Sequence, residues 1–190
     1  MADTIRTESD LLTNLFQNGQ AANSITAQDM RDLIVSMRPG FGEAAMQGNA
    51  TATTISVAGT YYKVAGTTGL SGEEYLFDDD GGTSNRLRYT GAPERLVMFY
   101  AHLSVKAASN NQQTAFKVYL YDDSGASGAV LDDTLVSQYV SSTSDEEALT
   151  LIGHATMATN DYIEIHCTNE TATNNLTIVD FAMHANSFIK

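Results

Sequence analysis

A chain of 190 residues with 23 acidic and 10 basic side chains carries a formal charge of −13. That charge repels phosphate backbones, no basic stripe offsets it locally, and nucleic-acid binding is set aside. The lone Cys167 closes no intrachain bridge, and at this length a core burying roughly 70% of the unfolded surface needs no disulfide staple.

The opening residues, MADTIRTESD, are polar and lack the apolar stretch of a signal peptide. No apolar run is long enough to span a bilayer. The expectation is a protein made in a cytoplasm with no membrane partner, whose negative charge serves solubility.

The first forty residues read as helical. In TESDLLTNLFQNG, Leu11, Leu12, Leu15 and Phe16 share a stripe, with Thr7 or Ser9 as cap and Asn18-Gly19 as stop. In NSITAQDMRDLIVSMRPG, Thr26 is placed to cap a helix, and Asp29 sits three residues on as its capping-box partner. Met30, Leu33, Ile34 and Met37 then fall at i, i+3, i+4 and i+7, and Arg38-Pro39-Gly40 ends the helix. Neither helix is long enough to be stable alone. Their stripes pack on each other, on the main domain, or on another chain. We favour a docking arm over residues 1–40, with Leu11, Leu15, Phe16, Met30, Leu33, Ile34 and Met37 as its contact residues. The Gly/Ala/Thr-rich stretch 41–52 then reads as a linker.

From about Thr53 the period changes to two. TTISVAG, TYYKVAG, YLFDDDGGTSNRLRYTG, RLVMFYAHLSVKA, TAFKVYLYDD, DTLVSQYVS, ALTLIGHATMA, DYIEIHCTN and NLTIVDFAMHANSFI supply eight to ten strand candidates. In the longest, Val97, Phe99, Ala101, Leu103 and Val105 point one way and Met98, Tyr100, His102 and Ser104 the other. The pattern predicts a mainly β protein: an antiparallel jelly-roll sandwich over 53–190 behind a short helical arm. Met98, Tyr100, Tyr119, Tyr121, Tyr162 and Phe181 lie opposite the presumed core residues or close to them. An outer face with so many aromatics points to burial against other subunits, ordinary surface tyrosine being the alternative.

No chemical motif stands out, and the chain reads as non-enzymatic with no cofactor. The acidic turn Asp78-Asp79-Asp80 offers oxygens to calcium but lacks the spacing of an EF-hand, and reads as a solvated turn. His102, His154, His166 and His184 fall in strands without ligand spacing, so no metal site is assigned. Cys167 has no activating neighbour in sequence, and Asp132-Asp133 and Glu146-Glu147 are assigned to loops. The Asn-x-Thr triplets at Asn49, Asn169 and Asn175 matter only in a secretory pathway.

DLLTNLFQNGQAANSITAQDMRDLIVSM resembles an N-terminal segment of structural proteins of tailed bacteriophages and prophages. NRLRYTG, FYAHLSV and NDYIEIHCTN resemble the C-terminal jelly rolls of phage fibre and head-decoration proteins, similar in outline to tumour-necrosis-factor and C1q heads. The resemblance implies a homotrimeric virion component, made in the host cytoplasm. Its arm would dock on the major capsid protein as a capsid decoration (cement) protein. The alternative is a short tail fibre docked on tail proteins, recognising a host surface glycan. For the trimer interface, the tyrosine-bearing patch around Tyr100, Tyr119 and Tyr121 is the candidate, aromatic rings supplying large buried area near the axis.

Overall fold

The computed structural model describes residues 4–15, 25–70, 74–79, 85–123 and 128–189. After a Thr7-capped turn α1 (Glu8–Asp10), which widens into a π-helical turn over Leu11–Leu15, comes helix α2 (Ala27–Met37). The strands among the described residues follow as β1 (Gly40–Met46), β2 (Tyr62–Lys63), β3 (Gly69–Leu70), β4 (Phe77–Asp78) and β5 (Arg86–Tyr89). The longer ones are β6 (Arg95–Ala107), β7 (Gln112–Tyr121), β8 (Gly128–Val140), β9 (Glu147–Met157), β10 (Tyr162–Asn169) and β11 (Leu176–Ile189). Among these residues no helix is long and apolar enough to cross a membrane.

Two antiparallel sheets result. The first has the order β3-β1-β11-β6-β9, and the second the order β4-β5-β10-β7-β8, with β2 pairing β10 beside β5. The steps β5 to β6, β8 to β9, β9 to β10 and β10 to β11 each cross from one sheet to the other, which makes a jelly-roll sandwich.

The core lies between the sheets and follows the period-two reading. Val97, Phe99, Ala101, Leu103 and Val105 are all buried, as are Phe116 and Val118 from β7. Ile163, Ile165 and Cys167 of β10, beside β7 in the second sheet, belong to the same core cluster. Leu120 is only partly buried.

Four expectations change. Residues 40–46, expected largely as linker, are a core strand: β1 pairs β11 from Gly40↔Ser187 to Met46↔Phe181. Its small residues reflect close packing, since a Cβ on Gly42 would stand 2.5 Å from Phe77 Cβ. The chain stays on the sheet beyond it, with Asn49 N donating to Val179 O at 2.9 Å and Thr53 N to Leu176 O at 2.7 Å. The β domain therefore begins at Gly40 rather than Thr53. TTISVAG, in turn, makes only an isolated bridge at Thr53.

Phe181 is in the core at 2% exposure. A bulge in β11 between Ile178 and Phe181 resets the alternation, so Phe181, Met183 and Ala185 turn inward.

In the first helical turn Leu11 is buried while Leu12 is 60% exposed, so the leucines do not share one buried stripe. Phe16 lies outside the described residues.

Candidate assembly and binding surfaces

Helix α2 has the cap read from sequence. Thr26 Oγ1 accepts from Asp29 N at 3.1 Å, and Asp29 Oδ2 accepts from Thr26 N at 2.7 Å. The helix, however, turns its polar side to the protein. Asp32 and Ser36 are its buried residues. Asp32 accepts from Thr4 N and Arg6 Nε, both at 2.9 Å, and from Gln28 Nε2 at 2.7 Å. These bonds, the Thr4 amide first, hold its carboxyl below the usual range.

Ser36 Oγ accepts from Arg6 N at 2.7 Å. At the helix C-terminus, Arg95 reaches out of the inward row of β6, donating to Ser36 O at 2.7 Å and Arg38 O at 2.8 Å. A buried cation on the last carbonyls satisfies groups the helix cannot pair itself and complements its dipole.

The apolar stripe consequently faces away from the sandwich. Ile34 is 65% exposed, Met37 62% and Met30 45%, with Leu33 half-buried. The expected contact residues of α2 thus lie together along one side of an anchored helix.

The outer face of the first sheet carries an apolar strip among polar neighbours such as Glu43, His102, His154 and Asn186. Leu96 pairs Phe188, and Tyr100 pairs both His184 and Ile152. Met98, Ile152 and Phe188 are exposed, and the Tyr100 ring stacks on His184 at 4.7 Å. Beside them a hollow of about 710 Å³ opens over Ala45, Ala148 and Ala182, bordered by Glu43, His102 and Asp180 and lined by no lysine or arginine. The neighbouring edge, β8, exposes Val130, Leu135 and Tyr139.

Tyr119 and Tyr121 are not on that face. They belong to β7 in the second sheet and point outward on the opposite side of the sandwich from Tyr100. The single tyrosine patch expected from sequence is therefore two separate clusters. Period-two reading says only that a side chain leaves the core; which sheet it leaves depends on long-range pairing.

The second cluster centres on Glu164, 3% exposed. One of its oxygens accepts from both Lys63 Nζ, at 2.6 Å, and Arg86 Nε, while the other meets His166 Nε2 at 3.2 Å. Burial alone would raise its pKa, but the bonds from His166, Lys63 and Arg86 overcome that and bring it down to about 2. Around it the rings form a column: Tyr119 on His166 at 4.1 Å, Tyr121 on Tyr162 at 5.1 Å, and Arg86 over Tyr162 at 4.0 Å.

The remaining candidates are engaged structurally. Asp78 of the acidic turn forms a two-point pair with Arg88, both contacts at 2.9 Å, and Asp80 lies outside the described residues. His102 meets Thr150 at 2.9 Å, His154 meets Asp133 at 3.9 Å, and His184 meets Glu43 at 3.6 Å. Among the described residues no three potential metal ligands cluster. Burial pushes the Cys167 thiol up to about 12, which removes the thiolate that nucleophilic chemistry needs. Asp132 and Asp133 sit within β8 rather than a loop, Asp132 meeting Lys117 at 3.0 Å, and Glu147 opens β9. Asn169 is buried and donates to Gln112 at 2.9 Å.

Sequence reading missed Arg95, Ile152 and Phe188. An arginine in phase with Val97 and Phe99 was the available signal for the first. Ile152 and Phe188 fall in the outward phase of their strands.

No family model matches the chain, and no curated protein matches it in sequence. Among solved structures, the chain is similar to murine APRIL at pH 5.0, with a TM-score of 0.52 and 8% identity, over 78% of this chain and 98% of that one. It also matches the Eiger TNF of S. frugiperda at a TM-score of 0.47 and 11% identity, over 80% of this chain and 94% of that one. The first likeness shows a fold, and at this identity a fold alone. The protein is a jelly-roll sandwich with a fold similar to that of murine APRIL.

Proposed function

We propose that this chain is a non-enzymatic assembly protein: a homotrimeric jelly roll that docks through α2 onto a larger particle. A phage capsid is the particle we favour, with the protein as a capsid decoration component bound to the major capsid protein. The observation carrying the docking reading is the direction of α2. Hydrogen bonds from Thr4, Arg6 and Arg95 hold its polar side in place, while Met30, Ile34 and Met37 project outward. Exposed apolar side chains on an anchored helix fit a partner's groove.

For trimerisation the support is different. The protomer shows two unlike apolar surfaces, the face bearing Met98, Tyr100 and Ile152 and the β8 edge bearing Leu135 and Tyr139. Unlike surfaces that meet head to tail close into a ring where the rotation between copies closes, whereas a two-fold dimer uses one self-complementary patch.

Light scattering of the full chain tests the trimer: three chain masses is the expected result, and a monomer at every concentration overturns it. Immunogold labelling of virions tests location. Label on the shell supports decoration, label at the tail supports the short-fibre alternative, and no label on any particle removes both.

A further inference from the structure

The segment from Glu74 to Asp79 links helix α2, strand β1 of the first sheet and strand β4 of the second. Tyr75 pairs with Phe41 of β1 through two main-chain bonds, each 2.9 Å. Its hydroxyl donates to Val35 O of α2 at 3.4 Å, and the Arg38 guanidinium lies over its ring at 4.2 Å. The approach to β1 is close, since a Cβ on Gly40 would stand 3.0 Å from Tyr75 O. One residue thus clamps the C-terminal half of α2 to the first strand.

We propose that this segment is a proton-operated strap on the docking helix: with Glu74 protonated it stays clamped, and with Glu74 ionised it lifts at Tyr75 and loosens the end of α2. Glu74 is half-buried, and its carboxyl accepts the Glu43 main-chain N–H of β1. Its Oε1 is buried and has no hydrogen-bond partner. A protonated carboxyl tolerates that place, whereas a carboxylate there is desolvated and under-bonded.

The charges acting on Glu74 from its own segment are Asp79 and Asp78, both of its own sign. Around it, the Glu43 carboxylate meets His184 at 3.6 Å, Arg88 of β5 is taken by Asp78, and Arg38 of α2 lies on the Tyr75 ring. Burial first, then Asp79 and Asp78, push the Glu74 carboxyl up to about 7.

Leu76 marks where the strap bends. Its φ of 67° lies in the left-handed region, which a leucine adopts only under constraint. Beyond it the chain is fixed. Phe77 is buried against Tyr89, ring centroids 5.5 Å apart, and Asp78 makes its two-point pair with Arg88. Ionisation therefore acts on Glu74 and Tyr75, and lifting them lets Leu76 relax.

A carboxyl held near 7 in the closed strap and at 4.5 in the open one favours closure fully below pH 4.5, and that advantage is lost as pH rises through 7. The strap's purpose rests on the docking reading of α2, whereas its movement is read with no particle present, so the two fail separately.

Amide hydrogen exchange of the full-length protein, corrected for intrinsic rates, is the test. From pH 5 to pH 7 the opening of the Phe41 and Tyr75 amides should rise about 30-fold and then level off, the full shift being discounted for solvent screening. The amides of Val35 to Arg38 should follow by about threefold, since Arg95 still holds the Ser36 and Arg38 carbonyls. Those of β6 should not change. Glu74→Gln should keep the strap closed at every pH, and Asp79→Asn should cut the rise about threefold. Equal opening of the Phe41 and Tyr75 amides at pH 5 and pH 8, the parent's rise persisting in Glu74→Gln, or α2 amides that ignore the strap would each overturn the assignment. Should Glu74→Gln fail to fold, an undiminished rise in Asp79→Asn overturns it instead.

Discussion

The guanidinium of Arg95, 1% exposed, donates to the main-chain oxygen of Ser36 at 2.7 Å. One buried cation from the start of β6 thereby ties the C-terminus of α2 to the sandwich. Arg95→Met keeps the volume and removes the tie. The carbonyls of Ser36 and Arg38 lose their donor, so the cost should fall on the helix, and the β domain should unfold within about 1 kcal/mol of the parent. The amides of Leu33 to Arg38 should lose most of their hydrogen-exchange protection. Full protection there would show that the helix is held by other contacts.

Ile34→Asp with Met37→Asp tests the stripe. Both side chains are largely exposed in the protomer, so the melting temperature should barely move, within about 0.5 kcal/mol. Attachment to the particle should be lost, because a carboxylate would have to be desolvated in the partner's groove. Sedimentation of the variant with particles at the parent's level would end the docking idea.

Ile152→Lys places a cation in the middle of the apolar sheet face. The expected outcome in light scattering is monomer, with the β signature in circular dichroism intact. The parent trimer should tighten modestly as salt rises, since screening weakens repulsion among three acidic chains.

Two glutamates give the stability curve opposite slopes. Glu164 has its pKa depressed to about 2 from 4.5, so its contribution is present above pH 4.5 and lost as pH falls through 2. The shift corresponds to about 3 kcal/mol, and Glu164→Gln should remove that part of the acid sensitivity. Burial, with Asp79 and Asp78 nearby, pushes Glu74 up to about 7, and one of its buried oxygens has no hydrogen-bond partner. Its contribution is full below pH 4.5 and lost as pH rises through 7. Glu74→Gln should therefore be more stable than the parent at pH 8, by about 1 kcal/mol after solvent screening. Denaturant titrations across pH 2 to 8 read both.

The features legible in the sequence were local ones. Thr26 with Asp29 marks the helix start by chemistry that acts over three residues, and the alternation from Val97 to Val105 marks a strand by its own spacing. The direction of α2 was not legible, because a stripe of Met30, Leu33, Ile34 and Met37 looks like a buried face wherever no partner is in view. Asp32 and Ser36 became the inner side only through Thr4, Arg6 and Arg95, far away in sequence. The glycines of β1 imitate a linker until the Phe77 side chain they make room for is known. Tyr100 and Tyr119 share a phase in their strands and part company only when β6 and β7 join different sheets.

Arg38 and Pro39 alone separate α2 from β1. The arm therefore hangs on no slack tether but continues directly into a strand bonded along its length to β11. A pull on the helix along the β1 axis would load that seven-residue ladder in shear, all its rungs resisting together instead of opening one by one. For a protein fixed at one end to a particle, such a join transmits force into the centre of the sheet and resists tearing at the anchor.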